Sequence, residues 1–291
     1  MKIPFTKAHG AGNDFLYTFE NELTPEMAPE RLTNAARAIC HRNTGVGADG
    51  WYLVGGPEQG CHARVRLYNS DGSKAELSGN GTRCAAAILV DRGEVDGEVK
   101  ILTGSGARTL RLISGQGKLF EFEMDMGTIG YRAGDLRFQL GLSEGPRTVT
   151  ILDVGNPQCA VVVQSLDFDW RKTGAEIEGH VHFPRRTNVS FLRKVDEKNI
   201  EARFYERGAG PTLSSGTGST GAAATAILLG LVDRQVRVHG EAGHLDIRWP
   251  SSNAGNKPME GRGPSLDGPI YLTGPAKIIA AGEYYWEEGK F

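Results

Sequence analysis

Residues 68–96 of this chain align without a gap to residues 205–233, and the offset of 137 positions never slips. Ten of the 29 aligned positions are identical: Tyr68/Tyr205, Ser78/Ser215, Gly79/Gly216, Gly81/Gly218, the alanine triplets 85–87/222–224, Gly93/Gly230, Val95/Val232 and Asp96/Asp233. The matches crowd around one Ser-Gly-x-Gly core. Two copies are too few for a solenoid, whose repeats bury a core only by stacking. A duplicated domain is the better reading. The 291 residues leave room for two domains near the usual size of about 150 residues. We place the first half at residues 1–125, completed by a C-terminal strand within 270–291, and the second half at 126–269.

Each copy has the same local grammar. A β-type stretch (65–68; 202–205) leads into a Gly-rich loop, and an Ala-rich helix follows, at 85–90 in the first copy and 222–229 in the second. Small residues on all sides of these helices point to close packing all round, so each is expected to be a buried central helix. Gly93 and Gly230 fit as C-terminal stops. Strand-like runs come next at 99–102 and 236–239, continuing into hairpin material at 108–113 and 244–249. Residues 148–154 and 160–163 are further strand candidates, and 277–281 is a last strand crossing back to the first half. Residues 251–268 are rich in Gly, Ser and Pro and read as a long surface loop. The fold class is therefore α+β: two pseudo-symmetric domains, each a mainly antiparallel sheet or barrel around a central helix.

The two helix starts, Ser78-Gly79-Asn80-Gly81 and Ser215-Gly216-Thr217-Gly218, carry the chemistry. Free backbone N–H groups at a helix start, with glycine admitting a ligand, form an anion site. Two such starts related by duplication are expected to face each other and hold one carboxylate, with an acid/base group on either side. That is the geometry for inverting a stereocentre: one group removes a proton, the other returns one to the opposite face, and the amides stabilise the charge that develops. The bland reading is that both serines are ordinary N-caps; two copies in register weaken it. Residues 216–221 also spell G-x-G-x-x-G, the dinucleotide fingerprint, but no βαβ unit is expected here and no acid follows at the right distance.

Composition narrows the function classes. With 39% hydrophobic and 23% charged residues the chain can build a core rather than remain disordered. A net charge of −2 and no long basic run argue against a nucleic-acid partner. No run of about 18 apolar residues could span a membrane, and the opening stretch lacks a signal-like apolar segment. Cys40, Cys61, Cys84 and Cys159 form no C-x-x-C pair and read as free thiols of a cytoplasmic protein.

Six ordered blocks resemble the diaminopimelate epimerase family: Lys7 to Phe15, Thr44 to Gly50, Tyr68 to Cys84, Gly155 to Cys159, Arg186 to Asn188, and Glu206 to Gly218. The resemblance implies a cofactor-free, metal-free isomerase that interconverts LL- and meso-diaminopimelate by two-base proton transfer, in lysine and peptidoglycan precursor synthesis. It also implies a small amino-acid substrate and a homodimer. The acid/base positions would be Ser78 and Ser215. The reacting carboxylate would lie on the amides of Gly79, Asn80, Gly216 and Thr217. The distal amino-acid head would be held by Asn13, Asn69, Asn156, Asn188, Glu206 and Arg207, where Arg207 offers a bidentate fork to a carboxylate and Glu206 pairs with an ammonium.

The departures from the family pattern are as informative. Serines stand at both positions where the family has cysteines, Gln158 replaces a histidine, Pro211 replaces an acid, and Gly50 takes a spot that is polar in some members. A serine acting as base needs another group to take its proton, and the nearest candidates in sequence are His9 and Asp14. Cys84 and Cys159 read as buried thiols. Two alternatives follow: a racemase or isomerase of another amino acid, or a catalytically impaired protein that binds an amino acid without turning it over.

Overall fold

The alanine-rich stretch of each copy can only be a helix enclosed on every side, because it has no polar face to turn to water. In the computed structural model, which describes residues 1–23, 27–250 and 268–287, this is what the first helix does. It runs Gly79–Asp91 (α2), and residues 79–89 are buried without a break. The chain divides into two units, Met1–Met124 with Gly274–Phe291, and Asp125–Thr273.

In the first unit the strands are β1 (Lys2–Gly10), β2 (Asn13–Phe19), β3 (Gly50–Gly55), β4 (Ala63–Asn69), the short β5 (Lys74–Ala75), β6 (Glu98–Thr103), β7 (Gly106–Gln116) and β8 (Leu119–Asp125). The last strand, β17 (Tyr271–Tyr285), runs antiparallel to β1, with Lys2 opposite Tyr285 and His9 opposite Lys277. The order β17–β1–β2–β3–β4–β6–β7–β8 closes where β8 meets β17, giving an eight-stranded barrel among the described residues, with α2 packed against β1, β2 and β6. Closure removes the unpaired edges that an open sheet would expose.

The second unit repeats the arrangement of strands around an enclosed helix. Its strands are β9 (Phe138–Leu142), β10 (Gly145–Asp153), β11 (Pro157–Val162), β12 (Asn188–Lys194), β13 (Asn199–Glu206), β14 (Gly210–Thr212), β15 (Gln235–Gly240) and β16 (Gly243–Arg248). Arg248 pairs with Tyr271 and Asp246 with Thr273, so β17 opens in this unit. Helix α4 (Gly216–Leu228) packs against β10 to β13, β15 and β16. Both enclosed helices stop where expected. Gly93 and Gly230 take left-handed φ of +71° and +69°, just past the C-caps Arg92 and Leu229.

Two features add to the sequence reading. The sheets are mainly antiparallel, as expected, but include parallel pairs: β2–β3 and β4–β6 in the first unit, β11–β12 and β13–β15 in the second. Each parallel pair needs a crossover, and a helix supplies it. A βαβ unit, β13–α4–β15, therefore does contain the G-x-G-x-x-G stretch, at the start of α4, contrary to expectation. The second feature is a pair of outer helices, α1 (Pro29–Cys40) and α3 (Trp170–Glu178), that the sequence reading left out. Helix α1 buries Leu32, Ala35, Ala36, Ile39 and Cys40 in a cluster with Trp51, Leu53 and Tyr68. Helix α3, N-capped by Asp169, packs Trp170 and Ile177 against Val161 and Phe191. The expected surface loop 251–268 lies, but for Gly268, outside the described residues. No described helix is long and apolar enough to cross a membrane.

Candidate active site

In the first unit, β1 and β2 are joined by Ala11 and Gly12, with φ of +50° and +83°. Two left-handed residues make the tight hairpin whose twist matches its strands, and it delivers Asn13 as the first residue of β2. Ser78 is the N-cap of α2. Its Oγ accepts the Gly81 amide at 3.2 Å, and its carbonyl accepts from Thr82. Such a cap contributes about 1 kcal/mol. Asn80, fully inside, donates its Nδ2 to Asn13 Oδ1 at 3.3 Å, so two of the expected binding residues meet directly. Asn13 in turn donates to the Asp49 carboxylate. Asn69 ends β4, and its amide donates to Ser73 Oγ at 3.0 Å. Strand register puts Phe15, Gly50 and Asn69 side by side, so Asn13, Asp49 and Asn69 share one end of the sheet. Gly50 is glycine for packing: a Cβ there would stand 2.9 Å from both Leu67 and the Tyr68 carbonyl.

The second unit repeats this local arrangement at its own helix start. Ser215 caps α4 by accepting the Gly218 amide at 3.1 Å. Asn156 donates to Thr217 Oγ1 at 3.3 Å and accepts from Gln158 Nε2 at 2.7 Å. Gln158 is buried beneath α4, against Gly221, with its Oε1 unpartnered. It thus holds Asn156 rather than any ionisable group. Asn188 donates to the Pro157 carbonyl and accepts the Arg207 amide, both at 3.0 Å. Glu206 Oε1 accepts from Thr212 at 2.7 Å, and the exposed Arg207 guanidinium reaches the Arg185 carbonyl at 3.4 Å. Pro211 sits in β14 opposite Tyr205, an edge position that needs no acid. A residue absent from the sequence reading anchors the Arg207 loop: buried Glu178 accepts the Gly208 amide and pairs with Arg186.

Neither candidate for activating Ser78 is engaged with it. The Asp14 carboxylate is paired with Lys7 at 3.0 Å and Arg42 at 2.8 Å. Burial alone would raise its pKa, but the hydrogen bonds from Arg42 and Lys7 prevail and hold it below the usual range. His9 Nδ1 accepts the Gly12 amide at 3.3 Å, and burial lowers its pKa. Tyr52 does reach Ser78: its hydroxyl donates to the Ser78 carbonyl at 3.4 Å, and burial raises its pKa. Each serine oxygen is therefore oriented by an amide, and among the described residues no carboxylate or imidazole is bonded to it.

All four cysteines are free and buried. Burial pushes the thiols of Cys40 and Cys84 up to about 12 and raises that of Cys159 further. They fit as packing residues, as the sequence reading has it. A colorimetric thiol reagent is expected to label less than one cysteine per native chain, and all four after unfolding in guanidinium. Prompt native labelling of even one would remove the case for inert thiols. No three described His, Cys, Asp or Glu side chains group so as to hold a metal ion.

A family model described as "Diaminopimelate epimerase" matches residues 5–130 and 150–263. A diaminopimelate epimerase of Pelotomaculum thermopropionicum is 36% identical over 294 residues, covering 96% of this chain and 98% of the relative. One of Paraburkholderia xenovorans is 36% identical over 306 residues, covering 97% and 98%. Among solved structures, a phenazine biosynthesis protein of the PhzF family from Bacillus anthracis superposes with a TM-score of 0.71 at 16% identity, covering 98% of this chain and all of that one. A hydroxyproline epimerase from Agrobacterium vitis does so with a TM-score of 0.71 at 14% identity, covering 99% and 94%. The last two share the fold.

Proposed function

This chain belongs to the diaminopimelate epimerase family, an isomerase family of amino-acid epimerases, and on that premise we propose that it interconverts LL- and meso-diaminopimelate by two-base proton transfer at the α-carbon. The observation that carries the reading is the pair of serine-capped helix starts, each already bonded to a polar side chain of its own unit, Asn80 to Asn13 and Thr217 to Asn156. The amides of Gly79, Asn80, Gly216 and Thr217 take the reacting carboxylate, where helix-start N–H groups favour negative charge. Ser78 and Ser215 are the acid/base positions, and no organic cofactor or metal takes part. Asn13, Asn69, Asn156, Asn188, Glu206 and Arg207 hold the distal head, which selects a substrate with a second amino-acid end over one without. The protein works in the cytoplasm, as a homodimer.

A second reading has a specific observation in its favour. Among the described residues neither serine oxygen bonds a carboxylate or imidazole, and an unassisted hydroxyl is a poor proton acceptor. On that reading the protein binds diaminopimelate and turns it over slowly or not at all. One experiment separates the two. Purified protein incubated with LL-diaminopimelate in D₂O is expected to exchange the α-proton for deuterium, with meso product appearing, followed by proton NMR. Binding by calorimetry without exchange above buffer sinks the epimerase reading and leaves the binding protein. Absence of binding sinks both.

A further inference from the structure

Arg83 lies on the second turn of α2 and has no exposed surface. Its Nη2 donates to Asn80 Oδ1 at 2.6 Å and its Nε to the Pro275 carbonyl at 3.4 Å, while Nη1 has no partner. The titratable groups against it are Tyr17 and Cys84, both held neutral by burial. Among the described residues no carboxylate is bonded to it. A buried cation without a counter-ion is strongly unfavourable, so chains keep one only for a reason beyond packing. Space does not excuse it either: a Cβ on Gly10 would come within 3.2 Å of its Nη2.

The reason lies in what Arg83 begins. From Arg83 a line of hydrogen bonds passes through two carboxamides: Arg83 Nη2 to Asn80 Oδ1, Asn80 Nδ2 to Asn13 Oδ1, and Asn13 Nδ2 to Asp49 Oδ2 at 2.5 Å. The Asp49 carboxylate is itself fixed, by Arg42 at 2.6 Å and by the Asp14 amide at 3.2 Å. A guanidinium only donates and a carboxylate only accepts. Flipping either amide would set an NH₂ group against the guanidinium or a carbonyl against the carboxylate. The two charged ends thus dictate which way both amides between them face. The duplicate lacks this device. Thr220 stands at the position equivalent to Arg83, Thr217 at that of Asn80, and the Thr220 hydroxyl donates to the Gly216 carbonyl at 2.9 Å.

We propose that Arg83 is a positioning residue which, with Asp49 at the far end, locks the side-chain amides of Asn80 and Asn13 in one orientation for ligand binding and makes the first helix start the more cationic of the two. This rests on the proposed reading of that start as a carboxylate site. The test uses the full-length protein, with Arg83→Met to remove the charge and every donor, Arg83→Lys as the conservative variant, and Asp49→Asn to neutralise the opposite end. Side-chain amide signals of Asn13 and Asn80 are followed by proton–nitrogen NMR without ligand, and the Kd for meso-diaminopimelate by calorimetry. Arg83→Met is expected to shift or broaden both amide signals and weaken binding about tenfold or more, with Arg83→Lys recovering part of the loss. Asp49→Asn is expected to move the Asn13 signal and weaken binding likewise, which keeps the proposal testable should Arg83→Met not fold. Unmoved amide signals and an unchanged Kd in the folded variants overturn it. Should the unaltered protein bind no diaminopimelate, the functional reading fails, while the ligand-free amide signals still decide whether Arg83 orients the two asparagines.

Discussion

Replacing both Ser78 and Ser215 with cysteine is expected to raise the rate of α-proton exchange by about 10²–10⁴-fold, the range that positioned acid/base groups contribute. At neutral pH a few per cent of an ordinary thiol is thiolate, and a helix N-terminus increases that share. An alkoxide is never populated to that degree. The local structure is ready for the change. Each serine oxygen already accepts an amide of the next turn, Gly81 at 3.2 Å and Gly218 at 3.1 Å, and a thiolate in the same place would keep that bond. Sulfur is the larger atom and the weaker cap, so a stability loss of about 1 kcal/mol should accompany the gain. Ser215, only 3% exposed, has the less room for it. The measurement is loss of the α-proton signal of LL-diaminopimelate in D₂O, compared among the parent, each single variant and the double variant. A double variant that folds and binds yet exchanges no faster would show that something other than the missing thiols limits turnover, with Gln158 the first suspect.

What the sequence made legible was whatever repeats or lies within a helical turn. The duplication and the glycine stops follow from such rules and appear as expected, while the two serines do cap their helices, as the bland reading had it. Contacts set by tertiary structure were harder. Asp49 lies 36 residues from Asn13, and only strand register brings them together. Glu178 meets Gly208 across 30 residues, and no motif marks it. Arg83 is a different case: it sits three residues after Asn80 on one helix, a spacing that brings side chains into contact. It lies within the Tyr68–Cys84 stretch, and only its burial makes it informative. Helix α1 was left out although its buried positions 32, 35, 36, 39 and 40 follow the helical period and could have marked it. Helix α3 has the same spacing, but Thr173, Gly174 and Glu178 stand in its buried stripe and blur the apolar signal. Gly174 is fixed by a neighbour, because a Cβ there would press on Tyr205 at 2.9 Å. The mixed strand directions follow from the crossovers, and a list of strands says nothing of them.

Gly81→Ala should destabilise the protein by about 1–3 kcal/mol, the usual cost of overpacking a filled core. The sign is what makes this a test. In an open helix the same substitution stabilises, by roughly 1 kcal/mol, because alanine surrenders less backbone entropy than glycine. Here a Cβ would fall 2.4 Å from the Tyr52 ring and hydroxyl, well inside van der Waals contact. Tyr52 has nowhere to retreat. It stacks on Tyr17 with ring centres 5.0 Å apart and meets Phe15 edge-on at 5.4 Å, and Tyr17 is itself tied to the Gly81 carbonyl at 2.7 Å. At the equivalent position of the second copy, Gly218→Ala would meet Phe204 and the Ser215 oxygen at 2.8 Å, a milder clash that should cost less stability. Because it presses on the cap oxygen, it should disturb the acid/base position as well. Gly141→Ala, in β9 with nothing within 4 Å, is the control and should change stability by under about 0.5 kcal/mol. Urea denaturation of the three variants gives the order directly: Gly81→Ala weakest, then Gly218→Ala, then a near-neutral Gly141→Ala. A Gly81→Ala protein as stable as its parent would mean that Tyr52 does not pin the start of α2, and with it the placement of Ser78 and Asn80 would lose its structural basis.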